Sequence, residues 1–102
     1  AFGIRLEAIK EVLNVVAEGA DILMIEPGIA HGDIVREVRN AVNVPVAVFH
    51  VSGEYAMLKA AAERGWLDHD RTMIEQLFCI KRAGANMITT YFAKEASVLL
   101  NK

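Results

Sequence analysis

The chain has 102 residues, 54% of them hydrophobic and 24% charged, with a formal net charge of -2. This length fits one domain over residues 1–102, and the balance excludes an intrinsically disordered chain. The weak acidity leaves no basic field for phosphates, so neither nucleic acid nor an anionic membrane surface is an expected partner.

Ile4 to Glu18 carries apolar Leu6, Ile9, Leu13 and Val16 at three- and four-residue steps. That spacing predicts a helix, stopped by Gly19. Asp21 to Glu26 is an apolar run too short for a helix and ends at Pro27-Gly28, which predicts a buried strand. A helix from Asp33 to Val42 follows. Pro45 then opens a strand over Val46–Val51, rich in β-branched residues. Glu54 to Arg64 reads as an alanine-rich helix. Asp68 or Asp70 caps a further helix that runs to Ala83 and stops at Gly84. Met87–Tyr91 predicts a third strand, and Ala93–Leu100 an amphipathic last helix.

Strands alternating with helices imply an α/β fold with a parallel sheet and right-handed crossovers. The corner Gly19-Ala20-Asp21 is echoed by Gly84-Ala85-Asn86, a pattern common in (β/α) barrels. The expected architecture is therefore a partial (β/α) barrel of three parallel strands with flanking helices. Three strands cannot close such a barrel, which takes about 250 residues and eight strands. Its edge strands would expose unpaired backbone, so self-association into a homo-oligomer is expected to complete it.

Cys79 is the one cysteine, which excludes an internal disulfide and a cysteine zinc cluster and fits a reducing, cytoplasmic home. It lies in an apolar helix stripe and is expected in the core. No uncharged run is long enough to span a bilayer. The first five residues lack the basic-then-apolar order of a signal peptide.

In parallel α/β folds, ligands sit beyond the C-terminal ends of the strands. Those ends carry Glu26, then His50, Val51, Ser52 and Gly53, then Thr90 and Tyr91. A carboxylate, an imidazole, a hydroxyl and a phenol would converge there, enough for a polar site but not enough to name a reaction. Each residue also has a plainer reading. Glu26 fits a drifted residue at a wet strand end. Ser52 fits a helix N-cap, a role compatible with gripping a carboxylate at the helix N-terminus. Tyr91 fits an amphipathic aromatic at a sheet end, and Trp66 a packing plug or interface residue. His31, His50 and Glu26 stand on separate loops without metal-ligand spacing, and His69 reads as surface.

The stretch from Gly19 to Gly28 resembles the G-A-D-x-x-M-V-K-P-[AG] of the porphobilinogen synthase (5-aminolevulinate dehydratase) family. Asp33 to Glu37 resembles its D-I-V-R-E, and Val51 to Met57 its V-S-G-E-[YF]-A-M. Arg82 to Asn86 is similar to the final R-A-G-A-D, and Thr90 to Phe92 to [ST]-Y-[YF]. The likeness runs through nearly the whole chain in order. It implies a (β/α) barrel lyase of heme and porphyrin biosynthesis that condenses two 5-aminolevulinates and usually assembles as octamers. The family's Schiff-base lysine falls on Glu26, and a carboxylate cannot form an imine. The tyrosine that follows in the family falls on His31. The second lysine and the zinc cysteines belong to the earlier part of the barrel, so no zinc site is expected. What the resemblance retains is a substrate-carboxylate grip at Ser52 and Tyr91, with His50 beside them as a substrate-binding candidate. Glu11 matches a family magnesium ligand, which makes magnesium the one candidate cofactor.

Three functional readings follow. The first is a catalytically deficient relative that binds a 5-aminolevulinate-like carboxylate and forms no porphobilinogen on its own. The second is an oligomerising interaction module that pairs with itself or with a full-length enzyme. The third is a noncovalent enzyme acting on a small carbonyl acid through Glu26 and His50.

Overall fold

The computed structural model describes residues 5–101. The helix start expected at Ile4 and the reading of residues 1–4 lie outside the described residues. Eight elements appear in the expected order: α1 (Arg5–Ala17), β1 (Leu23–Ile25), α2 (Gly32–Ala41), β2 (Val46–His50), α3 (Ser52–Glu63), α4 (His69–Ala83), β3 (Met87–Thr90) and α5 (Ala93–Leu100).

Local chemistry sets the element boundaries. Asp68 caps α4 by accepting the Arg71 N–H at 3.0 Å. α3 starts two residues earlier than its apolar pattern indicates. Its N-cap position is Val51, which has no side-chain acceptor, so Ser52 is the first helical residue and not the cap. The Glu54 carboxylate reaches back instead and accepts the Val51 N–H at 3.2 Å, one half of a capping box. β1 is shorter than the run Asp21–Glu26, because it pairs only where β2 offers partners, from Leu23 opposite Val46 to Ile25 opposite Val48.

The sheet has the order β1-β2-β3 and is parallel throughout. Because the order advances in one direction, right-handed crossovers lay the helices on one face. On that face Leu23, Ile25, Val46 and Val48 pack with Val35, Val38 and Val42 of the second helical segment and with Ile80 of α4. A second cluster of Leu58, Met73, Phe92 and Ala96 joins α3, α4 and α5. Each fully buried side chain of this size contributes about 1.5–3 kcal/mol. The opposite face has no covering layer among the described residues. Met24, Ala47 and Met87 share one register row across it, and both methionines are exposed. The product is a barrel segment with its inner face open and, among the described residues, one unpaired edge each on β1 and β3.

Two glycines are required by close approach. A Cβ on Gly28 would come 2.9 Å from Val48 Cγ1 and 3.0 Å from Ile80 Cδ1. Gly84 ends α4 at a φ of 131°, where a side chain is strained, and its Cβ would meet the Arg39 side chain at 2.9 Å. At the foot of β3, Asn86 binds the start of β2 twice: its N–H donates to Val46 O at 2.8 Å, and its Oδ1 accepts the Val46 N–H at 2.9 Å.

Cys79, expected in the core, is exposed. α4 buries Met73 and Ile80 and half-buries Leu77 on one stripe, and Phe78 and Cys79 fall outside it. Trp66 is also exposed, with the Arg64 guanidinium 5.4 Å from its ring centroid. No described helix is long and apolar enough to cross a membrane.

Candidate functional site

The C-terminal rim of the sheet is built from three corners, one after each strand. Exposed and buried residues alternate from Ile22 to Glu26, which puts Glu26 on the open face beyond Met24. The same alternation along β3 puts Met87, Thr89 and Tyr91 on that face. Glu26 and Tyr91 thus flank β2 from its two sides; the register puts Glu26 level with Phe49 and Thr89, two residues short of Tyr91, so strand spacing and rise place their backbones about 12 Å apart. Tyr91 is 57% exposed, and its ring lies 6.1 Å from Phe49 and 5.7 Å from Tyr55. Ser52 is exposed at the first turn of α3, between the two. The Glu26–Pro27 peptide is cis.

His50 points the other way. Its side chain is 0% exposed and lies under the helices. Nε2 is 2.8 Å from Gln76 Oε1 and Nδ1 is 3.0 Å from Thr90 Oγ1. With both ring nitrogens engaged inside the protein, His50 offers nothing to a ligand on the open face. The reason is geometric: Val46, Val48 and His50 are alternate residues of β2, so they share its covered side.

Glu54, which no apolar pattern marks out, is the other buried polar group among the described residues. It is 8% exposed. Its Oε1 accepts the Gly28 N–H at 2.9 Å, and its Oε2 accepts the Ile29 N–H at 2.8 Å. Together with the Val51 bond, these tie the corner after β1 to the corner after β2. A glutamate at the third position of a helix is the only sequence signal for it, and that signal accounts for one bond of the three.

Beside the rim, the 27–30 loop, α3 and α4 enclose a cleft of about 460 Å3, with a wall formed by Pro27, Ile29, Met57, Leu58 and Leu67. Glu26, Ser52 and Tyr91 do not line it, although their neighbours Pro27, Val51 and Gly53 do, so the cleft adjoins the polar rim without sharing its side chains. Glu11 stands exposed on α1, the helix that packs against α2. His31 is half-buried at the N-cap of α2. Among the described residues no three His, Cys, Asp or Glu side chains gather to hold a metal ion. Magnesium demands six well-placed ligands and commonly takes one or two carboxylates. Glu11 supplies one exposed carboxylate, and a magnesium ion held there would complete its shell with its own waters.

Residues 2–99 match the family model for delta-aminolevulinic acid dehydratase. The chain is 50% identical over 98 residues to the delta-aminolevulinic acid dehydratase of Staphylococcus aureus strain Mu50, and 49% identical to that of Halalkalibacterium halodurans. In both cases it covers 96% of itself and 30% of the relative's length. Its fold superposes on the delta-aminolevulinic acid dehydratase (porphobilinogen synthase) of Toxoplasma gondii ME49, a structure in complex with the reaction product porphobilinogen. There the TM-score is 0.94 and the identity 42%, over 97% of this chain and 28% of that one.

Proposed function

The chain belongs to the delta-aminolevulinic acid dehydratase family, and from that premise we propose that it is a catalytically deficient member that keeps a carboxylate-binding rim for a 5-aminolevulinate-like ligand. One observation carries this reading. Glu26 occupies the β1 end, where the family resemblance calls for the Schiff-base lysine, and it shares the open face with Tyr91. A primary amine adds to a ketone and loses water to give an imine; a carboxylate has no nitrogen with which to form that bond. A negative charge at Glu26 also disfavours a second carboxylate close by. The ligand's acid group therefore goes to the Ser52 and Tyr91 side of the rim, where the hydroxyl, the phenol and the first amides of α3 are donors.

The test is a porphobilinogen assay on the purified chain, with 5-aminolevulinate-dependent melting measured alongside. No pyrrole should form. The ligand should raise the melting temperature, and the joint substitution Ser52→Ala with Tyr91→Phe should abolish that rise. Pyrrole formation at an enzyme-like rate would defeat the reading.

A second reading is favoured by the open sheet face. Exposed Ile22, Met24 and Met87, flanked by two unpaired strand edges, fit an interaction module that pairs with itself or with a full-length enzyme. Such a module would be oligomeric and indifferent to changes at Ser52 and Tyr91. A noncovalent enzyme using Glu26 with His50 has no geometric support, since the two side chains lie on opposite faces of the sheet.

A further inference from the structure

Building on the carboxylate-binding rim proposed above, we infer that His50 is a positioning residue, the centre of one buried polar chain that holds the three strand-end corners so that Ser52 and Tyr91 face a common ligand. Sheet hydrogen bonds register the strands only as far as Ile25, His50 and Thr90. The residues proposed to meet ligand lie beyond those points, each on its own corner, and need a further tie.

The chain of contacts supplies it. At the β1 corner the Gly28 and Ile29 amides donate to Glu54. At the β2 corner the Val51 amide donates to the same carboxylate. Glu54 Oε2 is 3.9 Å from His50 Nε2, too long for a hydrogen bond but close enough for a charge to act on a ring dipole away from water. At the β3 corner Thr90 Oγ1 lies 3.0 Å from His50 Nδ1 and accepts the Phe92 N–H at 3.1 Å. Tyr91 is the residue between, so the hydroxyl that meets His50 also closes the turn that aims Tyr91.

The donor census assigns the ring hydrogen. With the Gln76 amide oriented oxygen-first toward the ring, Nε2 carries the hydrogen; the flipped amide would reverse the tautomer, and the ring nitrogen-15 shifts decide between the two. With the hydrogen on Nε2, Nδ1 is the acceptor for the Thr90 hydroxyl hydrogen. Each member has one role, and an apolar residue at position 50 would leave Thr90 and Gln76 without these partners.

Thr90→Val tests the tie, because it keeps the shape and deletes only the hydroxyl. Affinity for 5-aminolevulinate is measured by calorimetry well below the melting midpoint, where a loss of stability alone leaves binding unchanged. Thr90→Val should weaken binding about tenfold or more, and Thr90→Ser should restore it to within about twofold. Nitrogen-15 spectra should show the His50 ring hydrogen on Nε2. In Thr90→Val the Gly28 and Ile29 amide resonances should move, although they belong to the far corner. Unmoved amides, or unchanged affinity in a folded Thr90→Val, would overturn the inference. If the parent chain binds no 5-aminolevulinate, the rim reading fails separately, and the ring and amide signals alone decide the positioning role. Should Thr90→Val not fold, His50→Gln is read by the same amides.

Discussion

Replacing Glu54 by alanine removes one acceptor group from three backbone amides at once: Gly28, Ile29 and Val51. The Gly28 bond is buried and the other two are partly buried, so water reaches the stranded donors poorly. A buried donor left without a partner costs about 1–3 kcal/mol. Counting the Gly28 amide in full and the other two at the low end gives a loss of about 3–5 kcal/mol, a large share of a small domain's stability. In urea, with a slope of about 1–3 kcal/mol/M for a chain of this size, the unfolding midpoint should fall by about 2 M. Glu54→Gln keeps one carbonyl oxygen but turns an amino group toward a backbone donor, and it should lose roughly half as much. Glu75→Ala is the control. Glu75 is exposed and pairs with Arg71, at 3.4 Å on the same helix, an arrangement worth about 0.2–0.5 kcal/mol. Circular dichroism during urea titration reads all three variants. A midpoint for Glu54→Ala within about 0.3 M of the control would refute the claim that this carboxylate holds the two corners together.

Gly28→Ala drives a methyl group against Val48 and Ile80, and thermal or urea unfolding should register a loss of about 1–3 kcal/mol. Cys79 should react with a thiol reagent in the folded protein nearly as fast as in the unfolded one, because α4 leaves it exposed; strong protection would contradict its placement. The hydrogen bond from Lys59 to Glu95 raises the lysine pKa above 10.5. A raised folded-state pKa contributes stability below the unfolded value and loses it as pH climbs through the folded value. The melting difference between the protein and Lys59→Met should therefore be constant from neutral pH up to 10.5 and narrow above it. Glu26→Lys restores an amine at the rim, and borohydride should then trap 5-aminolevulinate on the protein, as seen by mass spectrometry. A missing adduct would mean that the open face no longer presents the ligand to that position.

Periodicity and punctuation are local properties, and they were enough to place all eight elements in order. Three- and four-residue apolar steps marked α1 and α4, short β-branched runs marked the strands, and glycines marked the ends. The parallel alternation and the rim residues Glu26, Ser52 and Tyr91 could also be read along the chain, since a strand's end is a local feature. The direction of His50 could not. The run from Val46 to Val51 is apolar apart from His50 itself, so no alternation distinguishes its two sides, and only the helix layer decides which one is buried. Nor could the task of Glu54, whose partners Gly28 and Ile29 lie 26 and 25 residues away. Cys79 shows the same limit on a helix: an apolar stripe is wide in sequence, but a sheet covered on one face has room to bury only part of it. Side-chain chemistry and spacing along the chain set what each residue is able to do, whereas which residues meet, and on which face, depends on strand register and layer packing between distant segments.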